Sequence, residues 1–176
     1  LRDKKLGIHA YGNVGRYVAM IAKGFGMTVY AFDPFVSADK MKQEGIIPVA
    51  SVQELYKTCD YLSLHIPATS ETKKSIGYEL VKLMPKGATL VNTARAEVID
   101  EEGLLKIMNE RTDIKYVTDI APTALDEFKK LGIRFFTTPK KMGAQTEEAN
   151  VNAGIAAARQ IVNFFKTGDK TYQVNK

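Results

Sequence analysis

The chain has 176 residues, 45% hydrophobic and 26% charged, the balance of a soluble globular protein with one domain and a sizeable core. Its net charge of +5 comes from scattered lysines without interleaved aromatics, which argues against a nucleic-acid surface and leaves anionic small molecules as suitable ligands. The single Cys59 excludes an internal disulfide and fits a reducing, cytoplasmic compartment, and no apolar run is long enough to cross a bilayer.

The stretch from Leu6 to Arg16 begins as an apolar strand, turns through glycine and enters a helix carrying Val18, Ala19, Ile21 and Ala22. Strand, glycine turn and helix form the phosphate-binding start of a dinucleotide fold, because the helix N-terminus offers unpaired N–H groups to an anion. Gly12 lets the backbone approach a pyrophosphate, and Gly15 lets the helix pack closely on the strand. Ala10 stands where the first glycine of the usual G-x-G-x-x-G would be. A second strand, Met27 to Phe32, ends at Asp33, eighteen positions after Gly15. An acid at about this spacing holds a ribose 2′-hydroxyl and repels a 2′-phosphate, so the pattern selects NAD over NADP.

A short helix is predicted over Ala38 to Gln43, then a brief strand over Ile46 to Val49. Ser51 and Glu54 form a capping box for a helix over Val52 to Lys57. Asp60 to His65 reads as a buried strand, Thr69 to Ser75 as a loop with one helical turn, and Tyr78 to Met84 as an amphipathic helix. Ala88 to Asn92 is a strand, Asp100 caps a helix through Asn109, and Lys115 to Asp119 is a further strand. Leu125 to Leu131 is helical, Ile133 to Thr137 is the last strand, and an alanine-rich helix runs from Thr146 to about Lys166, where Gly168 ends it. Alternating strands and helices imply an α/β fold with a doubly wound parallel sheet. Ligands bind beyond the carboxyl ends of such strands, so Asp33, His65, Asn92, Arg95, Asp119 and Lys141 are the polar residues gathered on that edge.

Four segments match a known pattern: the glycine corner, Leu64 to Thr72, Met84 to Arg95, and Gly143 to Ala149. On these the chain resembles the nucleotide-binding domain of the NAD-dependent D-2-hydroxyacid dehydrogenases, and within them the short-form phosphoglycerate dehydrogenases. The resemblance implies that Gly12, Asn13 and Val14 lie along the pyrophosphate and that Asp33 holds the adenosine ribose. It also implies that His65, Ile66 and Pro67 line the adenine–ribose side, and that Thr72 approaches the phosphates. Ala94, Asp119 and Gly143 complete the implied cofactor contacts. Arg95 matches the arginine that grips the carboxylate and keto oxygen of a substrate, a role suited to a planar fork.

The chain departs from the family pattern at two positions together. Lys141 stands where the family usually places histidine, and Ala124 where it usually places the partner glutamate. An imidazole needs a carboxylate to fix its tautomer, whereas an ammonium has no tautomer to fix. The expected general acid–base is therefore Lys141, as in a lysine-bearing subgroup of the phosphoglycerate dehydrogenases, with Lys140 as its neighbouring rival. His9 is expected to be packed in the first strand, His65 to be a structural or cofactor contact, and Cys59 to be a small buried residue; none shows metal spacing.

The family has a second, substrate-binding lobe that precedes this region, and the chain lacks an initiator Met, as a fragment would. Residues 1–167 are thus expected to form the NAD-binding domain, and 168–176 a tail returning to the missing lobe. Such a fragment is expected to turn over little by itself, and the family resemblance suggests a homodimer. The open alternatives are another D-2-hydroxy acid, such as glyoxylate or lactate chemistry, and a dinucleotide-sensing, corepressor-like module.

Overall fold

The computed structural model describes residues 1–141, 143 and 146–173. Strand β1 (Lys5–His9) leads into helix α1 (Asn13–Gly24), followed by β2 (Thr28–Phe32), α2 (Ala38–Gln43) and β3 (Ile47–Pro48). The chain continues through α3 (Val52–Thr58), β4 (Tyr61–Leu64), α4 (Tyr78–Val81), β5 (Thr89–Asn92) and α5 (Glu101–Glu110). It then forms β6 (Lys115–Thr118), α6 (Leu125–Lys129), β7 (Phe135–Thr137) and α7 (Glu147–Thr167). The seven strands make one sheet in the order β3-β2-β1-β4-β5-β6-β7, and every pair is parallel. The doubly wound α/β fold expected from the alternation is the one observed.

The sheet order reverses at β1. Chain growth proceeds outward through β2 and β3, then returns to place β4 on the other side of β1. Because all strands run the same way, their carboxyl ends share one edge, and the crevice between the ends of β1 and β4 is the topological switch point.

Both faces of β1 are covered, and its residues show how the sequence arranges this. Leu6 and Ile8 point into one buried cluster with Ala19 and Ala22 of α1. Gly7, of opposite parity, faces α3. A Cβ there would lie 2.8 Å from Leu62 Cδ1, 3.0 Å from Cys59 Sγ and 3.1 Å from Leu55 Cγ. Any larger residue would push α3 off the sheet. The second cluster holds Leu55, Cys59, Leu62, Leu90, Leu104 and Phe128 among its buried members.

Several local expectations are met. Ser51 Oγ accepts from Glu54 N at 3.1 Å, and the Glu54 carboxylate reaches back to Ala50 N at 2.9 Å. Thr146 Oγ1 accepts from Ala149 N at 3.1 Å, and Gly168 ends α7 at φ +70°.

Others are corrected. Helix α4 stops at Val81 rather than Met84: Leu83 and Met84 donate to carbonyls three residues back, and Pro85 disfavours α geometry in the residue before it. The last strand starts at Phe135, because Gly132 at φ +63° opens a tight turn through Arg134. Asp100 holds the N-cap position of α5, but its side chain makes no capping bond. It fills a slot between Gly77 and Gly103, where added Cβ atoms would come within 2.8 Å and 2.3 Å of its Oδ2.

The chain divides into two units, Leu1–Lys140 and Lys141–Lys176. The first holds the whole sheet. In the second, α7 carries exposed Val151, Ile155, Ile161 and Phe165 along its length. Of the tail expected over 168–176, residues 174–176 lie outside the described residues.

Candidate active site

The glycine corner is built from backbone. Ala10 adopts φ +75°, the left-handed conformation that the missing glycine would have favoured. An alanine there costs about 1 kcal/mol relative to glycine, and its N–H donates to Phe32 O at 2.9 Å. Gly12 caps α1, and a Cβ built on it meets nothing within 4 Å. A Cβ on Gly15 would lie 2.6 Å from the Ala10 carbonyl oxygen. The two glycines therefore differ in kind: Gly15 is required by the protein's own packing, and Gly12 by nothing in the protein itself. The first turn of α1 has no acidic residue, so its positive end faces outward without a carboxylate of its own.

Asp33 lies beyond the end of β2 and ties this corner down. Its Oδ2 accepts from Tyr11 N at 2.7 Å and its Oδ1 from Phe35 N at 2.8 Å. Tyr11 is buried, and its hydroxyl donates to Glu44 at 2.7 Å. Burial first, then that carboxylate, pushes Tyr11 up to about 12. Sequence reasoning passed over Tyr11, and its position inside the glycine turn is the signal that could have marked it.

A cavity of about 450 Å³ opens beside the corner, lined by His9, Phe32, Asp33, Ile66, Pro67 and Thr72 among others. Four of the residues expected on the cofactor side (Asp33, Ile66, Pro67 and Thr72) are thus brought to one hollow. Asn13 and Val14 open helix α1 next to it. The loop carrying Thr72 is held by its hydroxyl, which donates to Pro67 O at 2.5 Å and accepts from Thr69 N at 2.8 Å. His65 is placed differently: its backbone N–H donates to His9 O at 2.9 Å and its Nε2 lies 3.0 Å from Ser63 Oγ. His9 is packed as expected, with its Nδ1 3.5 Å from Tyr56 Oη, yet it also lines the cavity.

On the other side of the switch point, β5 and β6 end in register, with Asn92 paired to Thr118. Arg95 follows β5 in an exposed turn, its Nη1 donating to Ala94 O at 2.8 Å. Asp119 follows β6, and its Oδ1 is buried without a hydrogen-bond partner among the described residues. A buried carboxylate oxygen left unsatisfied is costly unless something else supplies a donor. Ala124 and Thr123 are held from α5, where Glu101 accepts from Thr123 N at 2.8 Å and from Ala124 N at 2.9 Å. Lys141 and Gly143 belong to the second unit, and their expected neighbours Ala144 and Gln145 lie outside the described residues.

Burial holds both histidines neutral, lowering His9 to about 4 and His65 to about 4; for His9, Asp33 acts weakly in the opposite sense. In the unfolded chain both titrate near 6.5. The unfolded state therefore binds more protons between these values, and stability is lost as pH is lowered through that window. Full stability is expected above about pH 6.5, with a loss on the order of a few kcal/mol by about pH 4. Urea midpoints at pH 8, 6 and 5 test this, and the fall should shrink in His65→Gln. Asp113, held at about 2 chiefly by Arg111, titrates below this window and does not confuse it. Cys59 is fully buried and pushed up to about 12, unsuited to act as a nucleophile. Among the described residues, no group of His, Cys, Asp or Glu is placed to hold a metal, and no helix is long and apolar enough to cross a membrane.

Comparison with known proteins agrees with this fold. The model of the D-isomer specific 2-hydroxyacid dehydrogenase NAD binding domain matches residues 1–138. The chain is 34% identical over 169 residues to D-3-phosphoglycerate dehydrogenase of Methanocaldococcus jannaschii, an alignment covering 92% of this chain and 31% of that enzyme. It is 35% identical over 169 residues to hydroxypyruvate reductase of Thermotoga maritima, covering 92% and 53%. Among solved structures, NAD+-bound 3-phosphoglycerate dehydrogenase of Entamoeba histolytica superposes with TM-score 0.88 at 49% identity, over 100% of this chain and 56% of that one. The chain spans about a third of the length of the first relatives it matches.

Proposed function

Because the chain belongs to the D-isomer specific 2-hydroxyacid dehydrogenase family, through its NAD binding domain, we propose that it is the cofactor lobe of an enzyme interconverting D-3-phosphoglycerate and 3-phosphohydroxypyruvate. The observation that carries this reading is the buried Oδ1 of Asp119, without a hydrogen-bond partner among the described residues, just past the end of the strand beside the one that leads to Arg95. That oxygen is suited to a carboxamide N–H donor, and Gly12 leaves open the space a pyrophosphate would need. The residues present thus fit NAD.

The bound nicotinamide supplies a hydride acceptor in oxidation and a hydride donor in reduction. The N–H groups at the start of α1, with Gly12, Asn13 and Val14, hold the pyrophosphate. Asp33 shares its remaining lone pairs with the adenosine ribose and repels a 2′-phosphate. Ile66 and Pro67 pack on the adenine side with His65 behind them. Thr72 faces the phosphates, while Ala94, Asp119 and Gly143 serve the nicotinamide side. Arg95 grips the substrate's carboxylate and keto oxygen. Lys141 would give a proton to the substrate's keto oxygen in reduction and remove the hydroxyl proton in oxidation.

The same reading makes the enzyme a cytoplasmic homodimer. The buried single thiol supports the compartment, and a stripe of exposed Val14, Tyr17 and Ile21 on α1, continued by Phe25 at its C-cap, supports a partner subunit.

Calorimetric titration of this chain with NADH and NADPH tests the cofactor half. NADH should bind at least about tenfold more tightly than NADPH, and Gly12→Val should weaken NADH by at least about 30-fold, or 2 kcal/mol, without loss of thermal stability. A substrate panel on the full-length protein tests the other half. NADH binding with no turnover of any 2-keto acid would overturn the dehydrogenase reading, and preference for glyoxylate or pyruvate would overturn the substrate.

A further inference from the structure

The turn that carries Arg95 is shaped by a side chain lying three residues before it. Asn92 is fully buried at the end of β5. Its Oδ1 accepts from Ala94 N at 3.0 Å, and its Nδ2 donates to Arg95 O at 3.0 Å. One planar amide thus fixes the backbone on both sides of the peptide that joins Ala94 to Arg95. The Asn92 backbone carbonyl extends this hold to the next strand, accepting from Thr118 Oγ1 at 2.9 Å and from Asp119 N at 3.3 Å. Thr118, also buried, turns the same hydroxyl to accept from Ile120 N at 3.1 Å. The ends of β5 and β6 are therefore knitted by one buried polar seam, with Arg95 leaving one side and Asp119 the other.

We infer that Asn92 is a positioning residue that holds Arg95 in the orientation needed to grip a 2-keto acid, and through Thr118 keeps that turn in register with Asp119. The inference rests on the dehydrogenase reading above. Arg95 itself is exposed, and among the described residues its side chain is anchored to the neighbouring Ala94 carbonyl, within its own turn. Its aim is consequently set by its backbone. Removal of the amide takes a partner from Ala94 N and another from Arg95 O in a largely buried site, so the turn reorganises rather than merely loosening. A misplacement on the order of 1 Å is enough to lower turnover by about 10²-fold.

The test is a double-mutant cycle in the full-length dehydrogenase with NADH and 3-phosphohydroxypyruvate. Asn92→Ala should lower kcat/KM by about 10²-fold while NADH affinity changes by less than about threefold. In an Arg95→Ala background the same change should cost less than about threefold more, because Asn92 acts through Arg95. Hydrogen exchange gives a readout independent of activity: the Ala94 amide should exchange at least about tenfold faster in Asn92→Ala, with Leu90 in the strand unchanged. If the alanine variant does not fold, Asn92→Asp decides by the same measurements, since it keeps the acceptor for Ala94 and loses the donor to Arg95. Additive losses in the cycle, an equal loss of NADH affinity, an unchanged Ala94 amide, or failure of both variants to fold would each overturn the inference. An inactive wild-type enzyme that binds NADH fails the dehydrogenase reading instead, and is told apart by the wild-type assay alone.

Discussion

On the proposed reading, replacing Lys141 by alanine in the full-length protein is expected to lower kcat by about 10²–10⁴-fold while NADH affinity stays within about threefold of wild type. The expectation follows from two positions read together. By the resemblance read from the sequence, Lys141 takes the place of a histidine and Ala124 that of its partner glutamate. Glu101 of α5 braces the Ala124 segment, its two oxygens accepting from the amides of Thr123 and Ala124. Lys141→His alone should therefore stay impaired, since the imidazole has no carboxylate to set its tautomer. Lys141→Arg separates proton transfer from simple charge. A guanidinium keeps the charge and does not release its proton, so kcat should remain low. Recovery of turnover in Lys141→Arg would reduce the residue to a neutraliser of substrate charge. Lys140→Ala is the control: Lys140 is exposed, its carbonyl accepts the Thr138 hydroxyl at 3.0 Å, and its loss should leave kcat near wild type.

Loss of the Arg95 guanidinium is the second large effect, and it has a different signature. Arg95→Ala should cut kcat/KM for the keto acid by about 10³-fold, or 4 kcal/mol, the sum of a lost charge-assisted carboxylate pair and a lost contact to the developing oxyanion. Arg95→Lys should recover little of this, because a point charge cannot hold two oxygens in one plane. Both variants should fold normally. The side chain is exposed, and its bond to the adjacent Ala94 carbonyl adds little to stability. The measurement is steady-state kinetics paired with a thermal melt. A fall in melting temperature that accounts for the lost rate would show that Arg95 supports the fold instead.

Much of this molecule follows from short-range rules. The glycine corner, the acid at Asp33, the capping box at Ser51 and Glu54, and the Thr146 and Gly168 ends of α7 are each set by residues within a few positions of one another. Local sterics and orphan N–H groups decide such features wherever they occur. Strand–helix alternation then leaves few topologies, and the parallel sheet follows. Element ends were less legible where a distant partner or a proline intervened, as at Met84 before Pro85. By itself the sequence therefore determined the fold, the cofactor class and the strand edge on which polar residues collect. Only the tertiary structure decided which of those residues line the cavity and which bond to each other. Asn92 and Arg95 both looked like site residues, yet register with Thr118, twenty-six positions later, turns Asn92 inward to hold the turn that presents Arg95. The same holds for His65, which bonds within the sheet end, and for Ala10, bent into a glycine's conformation by the strands on either side. The physical reason is that a polar group's role depends on which backbone amide or carbonyl lies within about 3 Å, and in a parallel sheet that neighbour comes from a different strand, brought alongside by a crossover.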